Sequence, residues 1–244
     1  MTDSIPKFTG FKKQAFLFLK NLEKEKYNNV EWFSNNREIY QNHIVTPSKA
    51  FVQSMGQFFN HLNPSIRTEP KFNKTLMRIN KDMRFSKGMP YRTFFLIHFG
   101  RFKMDSEFYV YLDKSGISYG IFINNSNGDD LYFNNNYSRL KKEIINSCKK
   151  FGVNNKYRLS ELNKEPGLKS LSFNAQKDIE ILGNMKYFLL EKQISLTHKL
   201  VFSPDLLTET IKNFSRLYPF YCFSISPDPL KLIDEFEERM GVAL

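Results

Sequence analysis

The chain has 244 residues, of which 41% are hydrophobic and 16% aromatic, and it carries a formal net charge of +11. This composition excludes an intrinsically disordered chain and supplies enough apolar side chains for one large core. We expect a single domain over residues 1–244. Because no apolar run reaches 18 residues and no signal-peptide pattern is present, we also expect the protein to be cytoplasmic and without a membrane partner.

Helical spacing dominates the first quarter of the chain. A first helix is expected with Thr9 as its N-cap, a second with Asn29 as its N-cap, and a third that opens at Pro47 and ends before Asn63. The apolar stripe of the first helix consists of Phe11, Ala15, Phe18, Leu19 and Leu22.

The second helix has a mixed stripe of aromatic and polar side chains. Trp32, Asn36 and Tyr40 lie on one helical face, with Arg37 adjacent. One interpretation is that these residues form a wall of a pocket. The other is that Trp32 and Tyr40 belong to the core and that Asn36 bonds to the backbone.

The segment from Arg78 to Lys87 is predicted to be the central strand. Side chains alternate across a strand, so Arg78, Asn80, Asp82 and Arg84 would share one face while Met83 and Phe85 would lie on the other. A row of arginine, asparagine, aspartate and arginine is suited to binding a planar anion.

Positive charge is concentrated around this segment. Between Arg67 and Lys103 there are ten basic residues and two acidic ones, and five of the ten arginines of the chain fall within it. Guanidinium groups bind carboxylates and phosphates through two parallel hydrogen bonds, which ammonium groups cannot do. The cluster therefore favours recognition of an anion, with a solvated face of ordinary ion pairs as the alternative.

The rest of the chain mixes strand and helix patterns. Tyr91 to Phe99 predicts a strand, Phe108 to Ile123 a hairpin that includes Tyr109, and Met185 to Phe202 further strand material. The other predicted features are a helix from about Leu140 to Gly152, a turn at Glu165-Pro166-Gly167, and helices that start at Ser203-Pro204-Asp205 and at Asp228-Pro229. The fold class is therefore α+β, with a mainly antiparallel central sheet from about Lys74 to Ile123 packed by N- and C-terminal helices.

Several kinds of chemistry have no signature in the sequence. The four histidines are scattered, and the two cysteines, Cys148 and Cys222, are far apart and predicted to be buried free thiols. We therefore expect no metal site and no cofactor. No phosphate-binding glycine loop or nucleophile elbow occurs either.

Three motifs give the chain a resemblance to a known family. They are Asn28-Asn29-x-x-Trp32-Phe33-x-x-Asn36-Arg37-x-x-Tyr40, Arg78-x-x-Lys81-Asp82-x-Arg84-Phe85-Ser86-Lys87 and Pro90-Tyr91-Arg92. The chain resembles a bacterial and fungal family known only as a conserved domain of unknown function, and the motifs lie between Phe11 and Gly120. It departs from that family at Lys81, where arginine is usual, and in a shorter loop after Lys87 that lacks a carboxylate. The resemblance implies that the residues of these motifs belong to the family signature, and it implies no activity.

Three hypotheses follow for the basic segment. In the first, which we favour, a small anionic ligand is bound by Arg78, Arg84, Lys87 and Arg92, with Asp82 orienting the arginines. The walls of that pocket would be Trp32, Asn36, Arg37, Tyr91 and Tyr109, and any proton transfer or nucleophilic attack would fall to Asp82, Ser86 or Tyr109. The second hypothesis is a structural network of arginines and Asp82 without a ligand, and the third is a basic nucleic-acid-binding module.

Overall fold

The computed structural model describes residues 6–162 and 171–240, and it combines helices with one sheet. The helices are α1 Lys13–Asn21, α2 Val30–Asn35, α3 Arg37–Tyr40, α4 Thr46–Leu62, α5 Phe133–Arg139, α6 Lys141–Lys150, α7 Ala175–Asn184, α8 Asp205–Ile225 and α9 Pro229–Met240. Two 3-10 turns occupy Glu25–Tyr27 and Lys199–Phe202, and a π-helical turn occupies Gln41–Val45. In this described part of the chain, no helix combines the length and apolarity needed to cross a membrane.

The sheet is antiparallel and has six strands in the order β1-β2-β3-β6-β4-β5. The strands are β1 Phe95–Phe99, β2 Glu107–Asp113, β3 Gly116–Asn124, β4 Arg158–Glu161, β5 Leu171–Ser172 and β6 Tyr187–Ser195. In β4, Arg158 is paired with Glu191 of β6 and with Ser172 of β5. Helices flank the sheet, so the predicted α+β class is confirmed.

Contacts divide the chain into two compact units. The first contains Met1–Phe99, Tyr109–Ser118 and Gln193–Ile211, and the second contains Gly100–Phe108, Tyr119–Lys192 and Lys212–Leu244. Strands β2, β3 and β6 and helix α8 each contribute residues to both units. The expected single domain stays a prediction.

The first unit has an aromatic core. Phe18 stacks with Tyr40 at 5.9 Å between ring centroids, and Phe59 of α4 lies 4.6 Å from Phe99 of β1. Helix α2 begins as predicted, because the Asn29 side chain accepts a hydrogen bond from the Trp32 N–H at 2.9 Å. Helix α1 does not, because Thr9 lies outside it and the N-cap, Lys12, makes no capping hydrogen bond.

The β2–β3 turn confirms the predicted hairpin. The Asp113 carboxylate accepts hydrogen bonds from the backbone N–H groups of Ser115 and Gly116, at 2.7 and 3.3 Å. Gly116 has φ +144°, and a Cβ atom there would lie 2.0 Å from the carbonyl oxygen of Ile194. The turn therefore requires glycine for two reasons, its left-handed φ and the close approach of a neighbouring backbone.

Helices α6, α8 and α9 begin near the predicted positions, and α6 and α9 lie in the second unit. Cys148 and Cys222 are buried free thiols, as expected. Arg101 and Asp105 form an ion pair at 3.0 Å, and the Asp105 side chain is completely buried. The turn predicted at Glu165-Pro166-Gly167 lies outside the described residues.

The central strand predicted from Arg78 to Lys87 is wrong, and the strand predicted from Tyr91 is shorter, because β1 starts only at Phe95. Isolated bridges join Leu76 to Ile97 and Asn80 to Tyr91, and the chain then leaves the sheet. Residues Lys81 to Pro90, which lie between the two partners of the second bridge, are called the 81–90 loop below.

A turn at Asp82 explains why this segment is not a strand. The Asp82 carboxylate accepts a hydrogen bond from the Arg84 N–H at 3.1 Å, which bends the chain. Met83 and Phe85 are consequently exposed, although their alternation with polar residues predicted a buried face. Alternation predicts a strand only where one face packs on a core, and here that condition ends at Ile79, which is buried.

Candidate functional site

A cavity of about 420 Å³ in the first unit is the best candidate for a binding site. One side is helical and consists of Phe33, Ser34, Arg37, Tyr40 and Gln41. The other side is formed by the segment before β1 and consists of Phe72, Arg78, Ile79, Asn80 and Tyr91. The volume falls within the range of small-molecule sites, about 300–1,000 Å³.

Helical geometry builds the first wall. Phe33, Arg37, Tyr40 and Gln41 follow one another at i, i+4, i+7 and i+8, which is one face of a helix. This face is continuous across the junction of α2 and α3 at Asn36, whose side-chain amide donates to the Trp32 carbonyl at 2.9 Å. A π-helical turn starts at Gln41, and such turns are frequent at functional sites.

The opposite wall is held by hydrogen bonds between Tyr91 and a buried asparagine. Asn28 is buried and contacts Tyr91 twice: its amide nitrogen donates to the Tyr91 carbonyl at 3.0 Å, and its amide oxygen accepts from the Tyr91 N–H at 2.9 Å. The Tyr91 ring then stacks on Phe33 at 4.1 Å between centroids and 9° between planes. The two walls are therefore joined by a flat aromatic pair.

Arg92 also supports this wall. Its guanidinium donates to the carbonyl oxygens of Arg78 and Asn80, at 3.0 and 2.7 Å. The predicted role of Arg92 was to hold a ligand, whereas here it fixes the backbone of two lining residues.

The electrostatics of the cavity are positive. Among the ten lining residues, Arg37 and Arg78 are charged and none is acidic. Arg78 donates from Nε to the Asn73 amide oxygen at 3.3 Å, and within residues 6–162 and 171–240 neither arginine forms an ion pair. An anion entering the cavity would thus meet two guanidinium groups and no competing carboxylate.

Both tyrosines of the cavity are neutral hydrogen-bonding groups at physiological pH. Burial raises the pKa of Tyr40 above its ordinary value, although the charge of Arg78 and a hydrogen bond with the Ile79 backbone oppose this. Burial also raises the pKa of Tyr91. Their phenols can therefore donate hydrogen bonds to an anion, and neither is a base near neutral pH.

The structure brings together only part of the predicted site. Arg37, Arg78 and Tyr91 line the cavity, while Asp82, Arg84, Ser86 and Lys87 lie in the 81–90 loop and outside the lining. Arg84 and Asp82 form an exposed ion pair at 2.7 Å, in which Arg78 has no part. The pair lowers the pKa of the Asp82 carboxyl through hydrogen bonds from the Arg84 side chain and backbone.

Three predicted wall residues are used elsewhere. Trp32 packs on Phe18 and Tyr27, with centroids 5.3 and 5.5 Å apart, and Asn36 bonds to the helix backbone. Tyr109 is buried in β2 and does not line the cavity.

Sequence reasoning missed Phe33, Ser34, Gln41, Phe72 and Ile79 as lining residues. The signal for two of them was present, because the stripe through Phe33 and Gln41 runs one position beside the stripe through Trp32. No comparable signal marked Phe72, which comes to the cavity only through the fold. The described residues contain no cluster of three or more histidine, cysteine or acidic side chains that could hold a metal ion.

Comparison with known families agrees with the resemblance. The family of conserved hypothetical proteins DUF2461 matches residues 14–223, which is most of the chain, and the chain therefore belongs to this family. No curated protein matches the chain at a significant level.

Proposed function

We propose that this member of the DUF2461 family binds a small anionic ligand, a phosphate- or carboxylate-bearing molecule, in the Arg37–Arg78 cavity. The observation that carries the proposal is the charge of the lining, two arginines without a single acidic residue. Hydrogen bonds between guanidinium groups and an anion are about twice as strong as neutral ones, and the planar fork favours two-point contacts.

The remaining lining residues suggest which molecules would fit. Ser34, Gln41 and Asn80 supply neutral hydrogen-bonding groups, and the stacked Phe33–Tyr91 pair offers a flat apolar surface. The proposed ligand therefore has an anionic group and a compact planar or apolar part, as small phosphorylated metabolites and aromatic acids do.

The chemistry of the lining supports binding and not a defined reaction. No histidine, cysteine or carboxylate is among the lining residues, so a nucleophile with an adjacent base is missing from them. Tyr40 and Tyr91 have raised pKa values and are protonated near pH 7. We therefore propose a binding site and no catalytic step.

A thermal-shift screen tests the proposal. The full chain would be heated with inorganic phosphate, dicarboxylates, aromatic acids, sugar phosphates and nucleoside monophosphates, at low and moderate salt. A ligand at one hundred times its dissociation constant adds about 2.7 kcal/mol to the stability of the folded state. For a chain of this size that corresponds to a rise in Tm of roughly 5–10 °C.

Three variants locate the site. Arg37→Ala and Arg78→Ala should each abolish or greatly reduce the shift, because each removes one of the two cationic groups. Arg84→Ala is the matched control, since it removes an exposed arginine outside the cavity, and it should keep the full shift. A panel without any stabilising ligand, or a shift that survives in the Arg37→Ala/Arg78→Ala double variant, would contradict the proposal.

A further inference from the structure

The 81–90 loop carries the most exposed large apolar side chain in the described part of the chain. Phe85 is 86% exposed and the nearby Met83 is 45% exposed. Single exposed apolar residues are common on protein surfaces, but a phenylalanine ring held almost entirely in water is unusual. Such exposure is typical of a side chain that a binding partner covers.

The loop that presents Phe85 is shaped by its own hydrogen bonds. The Phe85 N–H donates to the Asp82 carbonyl at 3.1 Å, and the Asp82 carboxylate binds the backbone and the guanidinium of Arg84. At the base of the loop, the Lys81 N–H donates to the Pro90 carbonyl at 2.8 Å. The exposed ring thus belongs to an ordered turn with an anchored base.

The loop that carries the exposed ring is positively charged. The loop contains Lys81, Arg84 and Lys87 and one acidic residue, Asp82, which is paired with Arg84. The guanidinium carbon of Arg84 lies 5.5 Å from the centre of the Phe85 ring, in a cation–π contact. An aromatic ring in a basic loop combines a stacking surface with attraction for phosphates.

We propose that the 81–90 loop binds single-stranded nucleic acid, with Phe85 stacked on a base and Lys81 and Lys87 paired with the phosphate backbone. Every base offers a face to an aromatic ring, so the contact requires no particular sequence. This proposal is independent of the anion proposed for the cavity, because none of these three residues lines it.

An anionic membrane would also attract a basic loop, but it fits the loop less well. Inserting Phe85 among lipid chains would bring the Asp82–Arg84 ion pair, at 2.7 Å, into a medium of low dielectric constant. Stacking on a base uses the open ring and leaves that ion pair in water. The geometry therefore favours the nucleic acid.

Fluorescence anisotropy with labelled 12-nucleotide oligo-dT and oligo-U probes tests the proposal. Phe85→Ala should weaken binding about 5- to 150-fold, the range measured when a base-stacking aromatic residue is removed. Phe85→Tyr should retain the wild-type affinity, because it keeps the ring. Val30→Ala is the matched control, since it removes a side chain that is exposed but lies outside the loop, and it should bind like the wild type.

Salt dependence separates the two kinds of contact. Lys87→Ala should reduce the slope of log affinity against log salt by about 0.7, the value for one phosphate contact on a single strand. Phe85→Ala should leave that slope unchanged while the affinity falls, because stacking releases no counterions.

Three results would overturn the proposal. The first is a wild-type chain that does not bind either probe, and the second is a Phe85→Ala variant that binds them as well as the wild type does. The third is sedimentation with phosphatidylserine vesicles that is lost in Phe85→Ala while oligonucleotide binding is unaffected, which would assign the loop to a membrane surface. Because Phe85 is exposed, the variants should keep the wild-type Tm, and a thermal scan checks that they are folded.

Discussion

Arg101 is bonded to a carboxylate that has no access to solvent. Its backbone N–H and its Nε donate to Asp105 Oδ2 at 2.9 and 3.0 Å, and its Nη2 donates to Oδ1 at 3.0 Å. The Nη2 group also donates to the Asp130 carbonyl at 2.8 Å. One arginine therefore neutralises a buried charge and fixes two loops of the second unit.

Arg101→Ala should destabilise the chain by about 3–5 kcal/mol, the usual cost of leaving a buried charge without its partner. The measurement is the urea midpoint of the unfolding transition. Arg84→Ala, which breaks an ion pair that is exposed to solvent, should leave the midpoint close to that of the wild type. Equal midpoints for the two variants would contradict the structural role of Arg101.

Arginines that are clustered in the sequence have different surroundings in the fold. Arg78 lines the cavity, Arg84 lies in the 81–90 loop, Arg92 donates to backbone carbonyls and Arg101 pairs with Asp105. Residue counting identified the basic segment but not these roles, because each role depends on a partner that only the fold brings near.

At the scale of elements, the N-caps of α1 and α2 differ. Asn29 accepts the Trp32 N–H at 2.9 Å and its own amide donates to the Lys26 carbonyl at 3.0 Å. Helix α2 supplies Phe33 and Ser34 to the cavity, so its start determines where they lie.

Asn29→Ala should cost about 1 kcal/mol of stability, because it leaves an N–H group at the start of the helix without its side-chain acceptor. Thr9→Ala provides the comparison: Thr9 is exposed and does not cap α1, so its removal should be nearly neutral. Chemical denaturation of both variants measures the difference. A loss of stability in Thr9→Ala as large as that in Asn29→Ala would show that the two positions are equivalent.

At this scale one prediction failed, and one helix had been left with two interpretations. The strand through Arg78 to Lys87 was inferred from alternation, but the Asp82 turn ends the extended chain. For the second helix, one interpretation made Trp32 and Asn36 part of a pocket wall, and the other assigned Trp32 to the core and Asn36 to a backbone bond. Trp32 packs on Phe18 and Asn36 bonds to the Trp32 carbonyl, whereas Phe33 and Arg37 line the cavity. Adjacent positions on a helix differ by 100°, so a shift of one residue points to another side of the helix.

At the scale of the whole molecule, buried ionisable groups determine how stability changes at alkaline pH. Burial raises the pKa of the Cys148 and Cys222 thiols, and burial likewise raises that of Tyr221. An unfolded chain releases a thiol proton above about pH 8.5, whereas the folded chain keeps it. Stability is therefore fully present below that pH and falls as the pH rises above it.

The two thiols should together lower the free energy of unfolding by about 2.7 kcal/mol per pH unit once their unfolded-state pKa is exceeded. Urea titrations between pH 8 and 10, in reducing buffer, measure this slope. The Cys148→Ala/Cys222→Ala variant should show a flatter dependence on pH, even if its stability at pH 7 is lower. Identical slopes for the variant and the wild type would contradict the assignment to the thiols.

Local sequence patterns were sufficient to predict part of this structure. The α+β class, the hairpin with its Asp113–Gly116 turn, the Asn29 cap, the helix starts at Asp205 and Pro229 and the two buried thiols could all be read from residue types and spacing. Caps, turns and periodic apolar faces involve residues close in the chain, so their signals lie within a few positions.

The cavity depends on long-range contacts that no local pattern records. Asn28 reaches Tyr91 across 63 positions, Arg92 bonds to two backbone carbonyls, and Phe72 meets the α2–α3 face only after folding. The sequence by itself determined that a basic, arginine-rich segment exists next to an aromatic helical region. Only the tertiary structure decided that Arg37 and Arg78 share one cavity while Arg84 and Phe85 lie in an exposed loop, because packing across the chain selects which side chains converge.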